Sequence, residues 1–316
     1  MDKGVTIDIS MDPTSSNYGF SDYSTTYHDA LNAIDLTECK DSTQWPGYRK
    51  FVHEPRDKRK IIGVRKKRVQ QYGFEQSLAN CYTATVYFWT GDSSYANPLL
   101  VQLGGESTYY SWKSDDSWGP DSDASGQFIT RLDKQNCRRN KAHVANISKA
   151  ESNTYDCYAC KDREQKITFS TSSEEADREY KKVVHRITSG ESGHKIGRID
   201  NSYPPQHGIK IKGTITSLNV FYYPKTDDRA LIIHFDGAWF TKTKSADEWE
   251  KKRGSTPQGT DDFSGILELI KVTNGASEGL TPGAIAGGVL GAGLGGAAIG
   301  LGLWKGRSFL KKRFIF

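Results

Sequence analysis

Apolar and polar residues alternate in short runs along most of the chain, and the runs break at clusters of Ser, Asp and Gly. Val5–Ser10, Val144–Ser148 and Lys166–Ser170 alternate with period two, as a half-buried strand requires. Thr83–Trp89 and Ser217–Tyr223 are denser β-branched and aromatic runs and predict the firmest strands. Asp92-Ser93-Ser94 and Pro224-Lys225-Thr226-Asp227-Asp228 supply turn residues, each followed by an apolar run, so a hairpin or meander is expected in each half. No helical period runs through 4–274. One short capped helix is expected over Ser173-Glu174-Glu175-Ala176-Asp177-Arg178. Residues 11–46, 115–127, 171–178 and 250–262 read as loops.

The pattern changes at Ala284–Trp304. These 21 residues carry no charge, amide or hydroxyl. At about 1.5 Å per helical residue they reach roughly 30 Å, the thickness of a bilayer's hydrocarbon core. Trp304 and the basic residues Lys305, Arg307, Lys311, Lys312 and Arg313 close the run, as at a membrane interface. Gly283, Gly287, Gly291 and Gly295 recur every four residues, spacing that lets two helices approach and predicts a weak homodimer through the span.

The strands before the span come twice. Tyr48-Arg49-Lys50-Phe51-Val52-His53 returns as Tyr180-Lys181-Lys182-Val183-Val184-His185. Ile62-Gly63-Val64 is echoed around Gly197, and Gln71-Tyr72-Gly73-Phe74 returns as Gln206-His207-Gly208-Ile209. Val86–Trp89, Leu99–Val101 and Trp118 match Val220–Tyr223, Leu231–Ile233 and Trp249. Six blocks keep their order at offsets of 131 to 135. The expected fold is therefore mainly β, with two tandem β-rich modules, each a sandwich or curved antiparallel sheet, followed by one C-terminal transmembrane helix. Repeat one covers 4–137, repeat two 143–274, the helix 283–304 and a basic tail 305–316.

Charge narrows the partners. The net +5 resides entirely in the tail, and the body sums to zero, so no nucleic acid is expected as a partner. The start, Met1–Ile7, shows no apolar signal segment, whereas the basic flank places the body on the extracytoplasmic side. Two readings reconcile them: a start that is incomplete or processed unusually, or a tail anchor set against its charge bias with the body in the cytosol.

Candidate chemistry is sparse. Arg56–Arg68 holds eight basic residues around the core Arg65, Lys66, Lys67 and Arg68, a tentative polyanion site or, as a bland alternative, a solvated strand edge. Cys157-Tyr158-Ala159-Cys160 has the spacing of a redox or half-zinc site, but no second CxxC and no nearby His pair accompany it. A local disulfide or inert thiols are expected of this pair, and the odd count of five cysteines leaves at least one unpaired within the chain. His53 and His185, at matching repeat positions, read as structural. Tyr87, Phe88, Trp89, Tyr109, Tyr110 and Trp112 alternate, so only half can share one sheet face. Asn146-Ile147-Ser148 is a glycosylation sequon inside an expected strand. No nucleophile elbow, catalytic set, cofactor motif or metal set emerges, and an enzyme is not expected.

The order Val5-Thr-Ile-Asp-Ile9, Gly47-Tyr-Arg-Lys-Phe-Val-His53, Thr85-Val-Tyr-Phe-Trp89, Pro98-Leu-Leu-Val101 and Tyr109-Tyr110…Trp112 resembles the expanded surface and secreted multigene families of piroplasm parasites (Theileria and Babesia), with their FAINT-type repeats. The resemblance covers 4–274. It implies an exported or membrane-attached protein facing a host, and no enzyme. The expected function is a single-pass membrane-anchored protein displaying two β modules for binding or surface interaction, its ligand unidentified, with a host or surface protein or a polyanion as the candidate partner. The alternative is a cytosol-facing or exported binding protein that uses residues 56–68 for targeting or polyanion binding.

Overall fold

The computed structural model describes residues 4–11, 24–39, 45–104, 108–160, 166–174, 179–188, 192–202 and 205–277. Copy one begins with β1 (Val5–Asp8), β2 (Ser24–Asp29), β3 (Asn32–Cys39) and β4 (Tyr48–Pro55). It continues with β5 (Ile61–Lys66), β6 (Val69–Gln71), β7 (Ala84–Trp89), β8 (Leu100–Leu103), β9 (Tyr109–Ser114), β10 (Ser117–Pro120) and helix α1 (Phe128–Arg139). Copy two holds β11 (Ala142–Asn146), β12 (Asn153–Asp156), β13 (Thr168–Glu174), β14 (Lys181–Ile187) and β15 (Lys195–Asp200). It ends with β16 (Ser217–Tyr222), β17 (Ala230–Phe235), β18 (Ala238–Lys242), β19 (Trp249–Lys251) and α2 (Phe263–Ser277).

The two halves repeat one topology. A seven-stranded sheet of order β10-β9-β8-β7-β4-β3-β2 has its counterpart in β19-β18-β17-β16-β14-β13-β12, and parallel β1-β5 has its counterpart in β11-β15. Register repeats as well. Phe51 pairs with Val86 and Val86 with Val101; their equivalents Val183, Val220 and Ile233 pair identically. The small sheets sharpen the alignment. Both β1-β5 and β11-β15 carry one irregularity, which skips Ile62 in copy one and Gly197 in copy two. Gly197 therefore stands where Ile62 does, one residue from the match with Gly63 that the sequence suggests.

A second repeated device is a lock between a glycine turn and a tryptophan. Trp118 donates its indole N–H to Gln71 Oε1 (3.0 Å), and Trp249 donates to Gln206 Oε1 (2.8 Å). Gly73 and Gly208 lie against the Trp118 and Trp249 backbones at positive φ (+96° and +78°).

Each large sheet is buried on both faces. In copy one, Phe51, Val86 and Val101 pack with Ile7 and Val64 of the small sheet. In copy two the opposite face, through Phe221, Ile232 and Trp239, packs on Ile266, Leu269 and Ile270 of α2. Each such side chain contributes about 1.5–3 kcal/mol on full burial. The corresponding face of copy one, Tyr87 and Tyr109, packs on Phe128 of α1. This double burial explains why Tyr87, Phe88, Trp89 and Tyr110 are all in the core, not half of them on a free face.

Several expectations need correction. Two helices exist where no helical period shows, and β2 and β3 occupy part of the expected loop 11–46. Ser173 and Glu174 end strand β13 instead of opening a helix. The proposed span 283–304, its glycines Gly283, Gly287, Gly291 and Gly295, and the tail 305–316 lie outside the described residues. Among the described residues no helix is long and apolar enough to cross a membrane.

The matched histidines are structural. His53 and His185 are fully buried, and each Nδ1 meets a tyrosine hydroxyl, Tyr27 at 2.9 Å and Tyr155 at 3.0 Å. Burial pushes His53 down to about 3 and His185 to about 4. The unfolded chain takes up these protons below about pH 6.5, while the folded protein holds both rings neutral. Stability is therefore full above that pH and falls as pH drops toward about 4, by up to about 1.4 kcal/mol per pH unit per histidine. Urea denaturation across that range checks this. His234 is pushed down as well, by burial and by the Lys182 charge, and adds to the slope. His185→Gln should lower the slope by its own share, and an unchanged slope would assign it elsewhere.

Candidate metal centre at the junction of the repeats

Helix α1 is held between the two copies. Its buried face is unusually polar, with Asp133, Gln135 and Asn136 beside Leu132 and Cys137. Asp133 is the node. Its carboxylate accepts from the Tyr48 hydroxyl of β4 (2.5 Å), from Arg198 Nε (2.9 Å) and Nη2 (2.7 Å) on β15, and from the Tyr158 hydroxyl. Tyr48 belongs to copy one; Arg198 and Tyr158 belong to copy two. Asp133 is fully buried and Arg198 3% exposed, so the charges are paired away from water, as buried ions must be. Trp89 of β7 donates its indole N–H to Gly197 O across the same boundary (2.9 Å). A Cβ on Gly197 would lie 2.7 Å from the Ala142 Cβ; this close approach is why copy two has glycine where copy one exposes Ile62.

Four donors converge beside this node. Cys137 sits in the last turn of α1. Asn140 Nδ2 then bonds to Asn136 Oδ1 (2.9 Å), and Lys141 at φ +50° turns the chain into β11. His143 follows on β11. Cys157 and Cys160 flank the single turn after β12, where Cys160 N–H bonds to Cys157 O (3.0 Å). The donor atoms of Cys137, His143, Cys157 and Cys160 all lie within 4.8 Å of one another and all four residues are buried. The sulfurs of Cys137 and Cys157 are 3.7 Å apart, and His143 Nδ1 is 3.1 Å from the Cys160 sulfur. No disulfide joins any of the five cysteines. Burial pushes Cys137 up, whereas hydrogen bonds from Cys137 and Cys160 hold Cys157 well below the ordinary thiol range. The CxxC thus has the two partner donors that the sequence did not disclose, and it forms no local disulfide.

The basic run is divided by its own strand. Arg65 turns to Asp29 (3.1 Å) and Asp8 (3.6 Å). Lys66, on the other face, is half-buried and lowered by burial and by the Arg139 charge. Lys67 and Arg68 are exposed at the tip of the β5-β6 hairpin. Arg56 Nε donates to both Asp35 carboxylate oxygens (3.0 Å each), and its Nη2 lies 2.9 Å from Oδ1. Asn146 of the sequon ends β11, and its Oδ1 accepts from the Ser148 amide (3.0 Å). Asp8 Oδ1 accepts from the Ser10 amide at the matching place (3.0 Å).

No protein-family model matches the chain, and no curated protein and no solved structure is significantly similar to it.

Proposed function

We propose that this is a membrane-held interaction protein that presents two β copies as one body. The observation that carries this reading is the junction. A helix whose buried carboxylate is shared by Tyr48 of one copy and Arg198 of the other couples the copies. The apolar run Ala284–Trp304 supplies the attachment, and the basic flank argues for an extracytoplasmic body. The division of Arg65 from Lys66 weighs against the polyanion reading, which would rest on the exposed Lys67 and Arg68. Carbonate extraction tests the attachment. The full chain should remain in the membrane pellet, and a chain truncated after Glu278 should be released. Release of both would overturn the membrane reading.

A further inference from the structure

We propose that Cys137, His143, Cys157 and Cys160 bind one Zn2+ ion in a closed tetrahedral site that fastens α1 to copy two. The inference stands independently of the membrane reading. Three thiolates and one imidazole are a soft donor set that suits zinc and not magnesium or calcium. An ion about 2.3 Å from two thiolates at the tetrahedral angle holds their sulfurs about 3.8 Å apart; Cys137 and Cys157 are 3.7 Å apart. A disulfide needs about 2.05 Å, well short of that separation.

The surroundings are those of a structural site. All four residues are at most 1% exposed, so no coordination position faces water, in contrast to a catalytic zinc. The Val144 amide donates to the Cys157 sulfur (3.4 Å). His143 presents Nδ1 to the sulfurs while its Nε2 meets His194 Nδ1 at 2.8 Å, the outer hydrogen bond that fixes a ligating imidazole.

The duplication provides an internal control. Asp8-x-Ser10 and Asn146-x-Ser148 make the same turn, and Tyr27 and Tyr155 accept from the Asp8 and Asn146 amides. This alignment places Val5 at His143 and Asp29 at Cys157. Ile34 and Phe169 hold the same register against Tyr27 and Tyr155, so Cys160 belongs to a longer connection that copy one lacks. In copy one the Thr6 amide donates to Asp29 (2.8 Å), as Val144 donates to Cys157, and Asp29 pairs with Arg65. One copy closes this corner with an ion pair and the other with sulfur and imidazole. The fold itself therefore does not demand three buried cysteines here. Copy two adds Cys160 from its longer connection and Cys137 from α1, and a metal bridging these to His143 and Cys157 ties the linking helix to the second copy.

Metal analysis of the detergent-solubilised full chain, expressed with zinc, tests the proposal. One zinc per chain is expected, retained through gel filtration and released when thiols are modified. Cys157→Ser and Cys160→Ser should lose the zinc, while Cys39→Ser and Cys81→Ser should keep it. His143→Cys, which leaves four thiolates, should retain the metal even where serine variants fail to fold. After cobalt exchange the wild-type chain should show the visible absorption of a tetrahedral thiolate site, altered in His143→Cys. Only trace metal in the folded wild-type chain, or equal zinc loss in Cys39→Ser, would overturn the proposal.

Discussion

Asp133→Ala is expected to destabilise the protein by about 3 kcal/mol or more, since it strands Arg198 in the core. The estimate takes the lower end of the range for breaking a buried ion pair, because Asp200 remains 3.3 Å from Arg198. The substitution also removes the acceptor of the Tyr48 and Tyr158 hydroxyls. Arg198→Met in the same chain should recover part of the loss, because an apolar side chain of similar length leaves no charge behind. Urea denaturation of the single and double variants measures both effects. A cost below about 1 kcal/mol for Asp133→Ala would show that the ion pair is solvated and not a buried node.

Gly208→Ala should be at least as damaging, at about 4 kcal/mol or more. The residue is at φ +78°, and a Cβ there would fall 1.8 Å from the Trp249 carbonyl oxygen. The backbone must move, and that breaks the His207–Trp249 pairing (3.1 Å) with the indole lock behind it. Gly73→Ala meets Trp118 O at 1.9 Å and should behave alike. Gly213 separates strain from collision. It has φ +82° with nothing within 4 Å of a Cβ, so Gly213→Ala should cost only about 1–2 kcal/mol. Thermal melts of the three variants make the comparison, and equal losses would mean that the close approach contributes nothing.

What could be read in the sequence follows from which residues face which neighbours. Tyr48 and Tyr180, Val86 and Val220, and Trp118 and Trp249 fill the same core positions in both copies, so selection for one core left a visible echo. The strands around them follow from β-branched and aromatic runs buried on both faces. Helix α1 leaves no apolar period because its inward residues include Asp133, Gln135 and Asn136, polar groups satisfied by tertiary partners no local pattern reveals. Strand β2, Ser24–Asp29, is one buried tyrosine among polar residues, and composition assigns it to a loop. The cysteine cluster was hidden for a related reason. Its spacing, Cys-x5-His-x13-Cys-x2-Cys, crosses a helix end, a strand and a turn, and the ligands meet only after α1 docks. A cysteine six residues before His143 was the available signal.

Helix α1, with Asp133 shared by Tyr48 and Arg198, makes the two copies one body. Native-state hydrogen exchange of the full chain in detergent tests it most directly, by comparing amides of β4 and β7 with those of β14 and β16. If the claim holds, the slowest amides of both sheets open with the same free energy, and Asp133→Ala lowers that free energy in both copies together. Two distinct opening free energies, with Asp133→Ala affecting one copy and sparing the other, would contradict it.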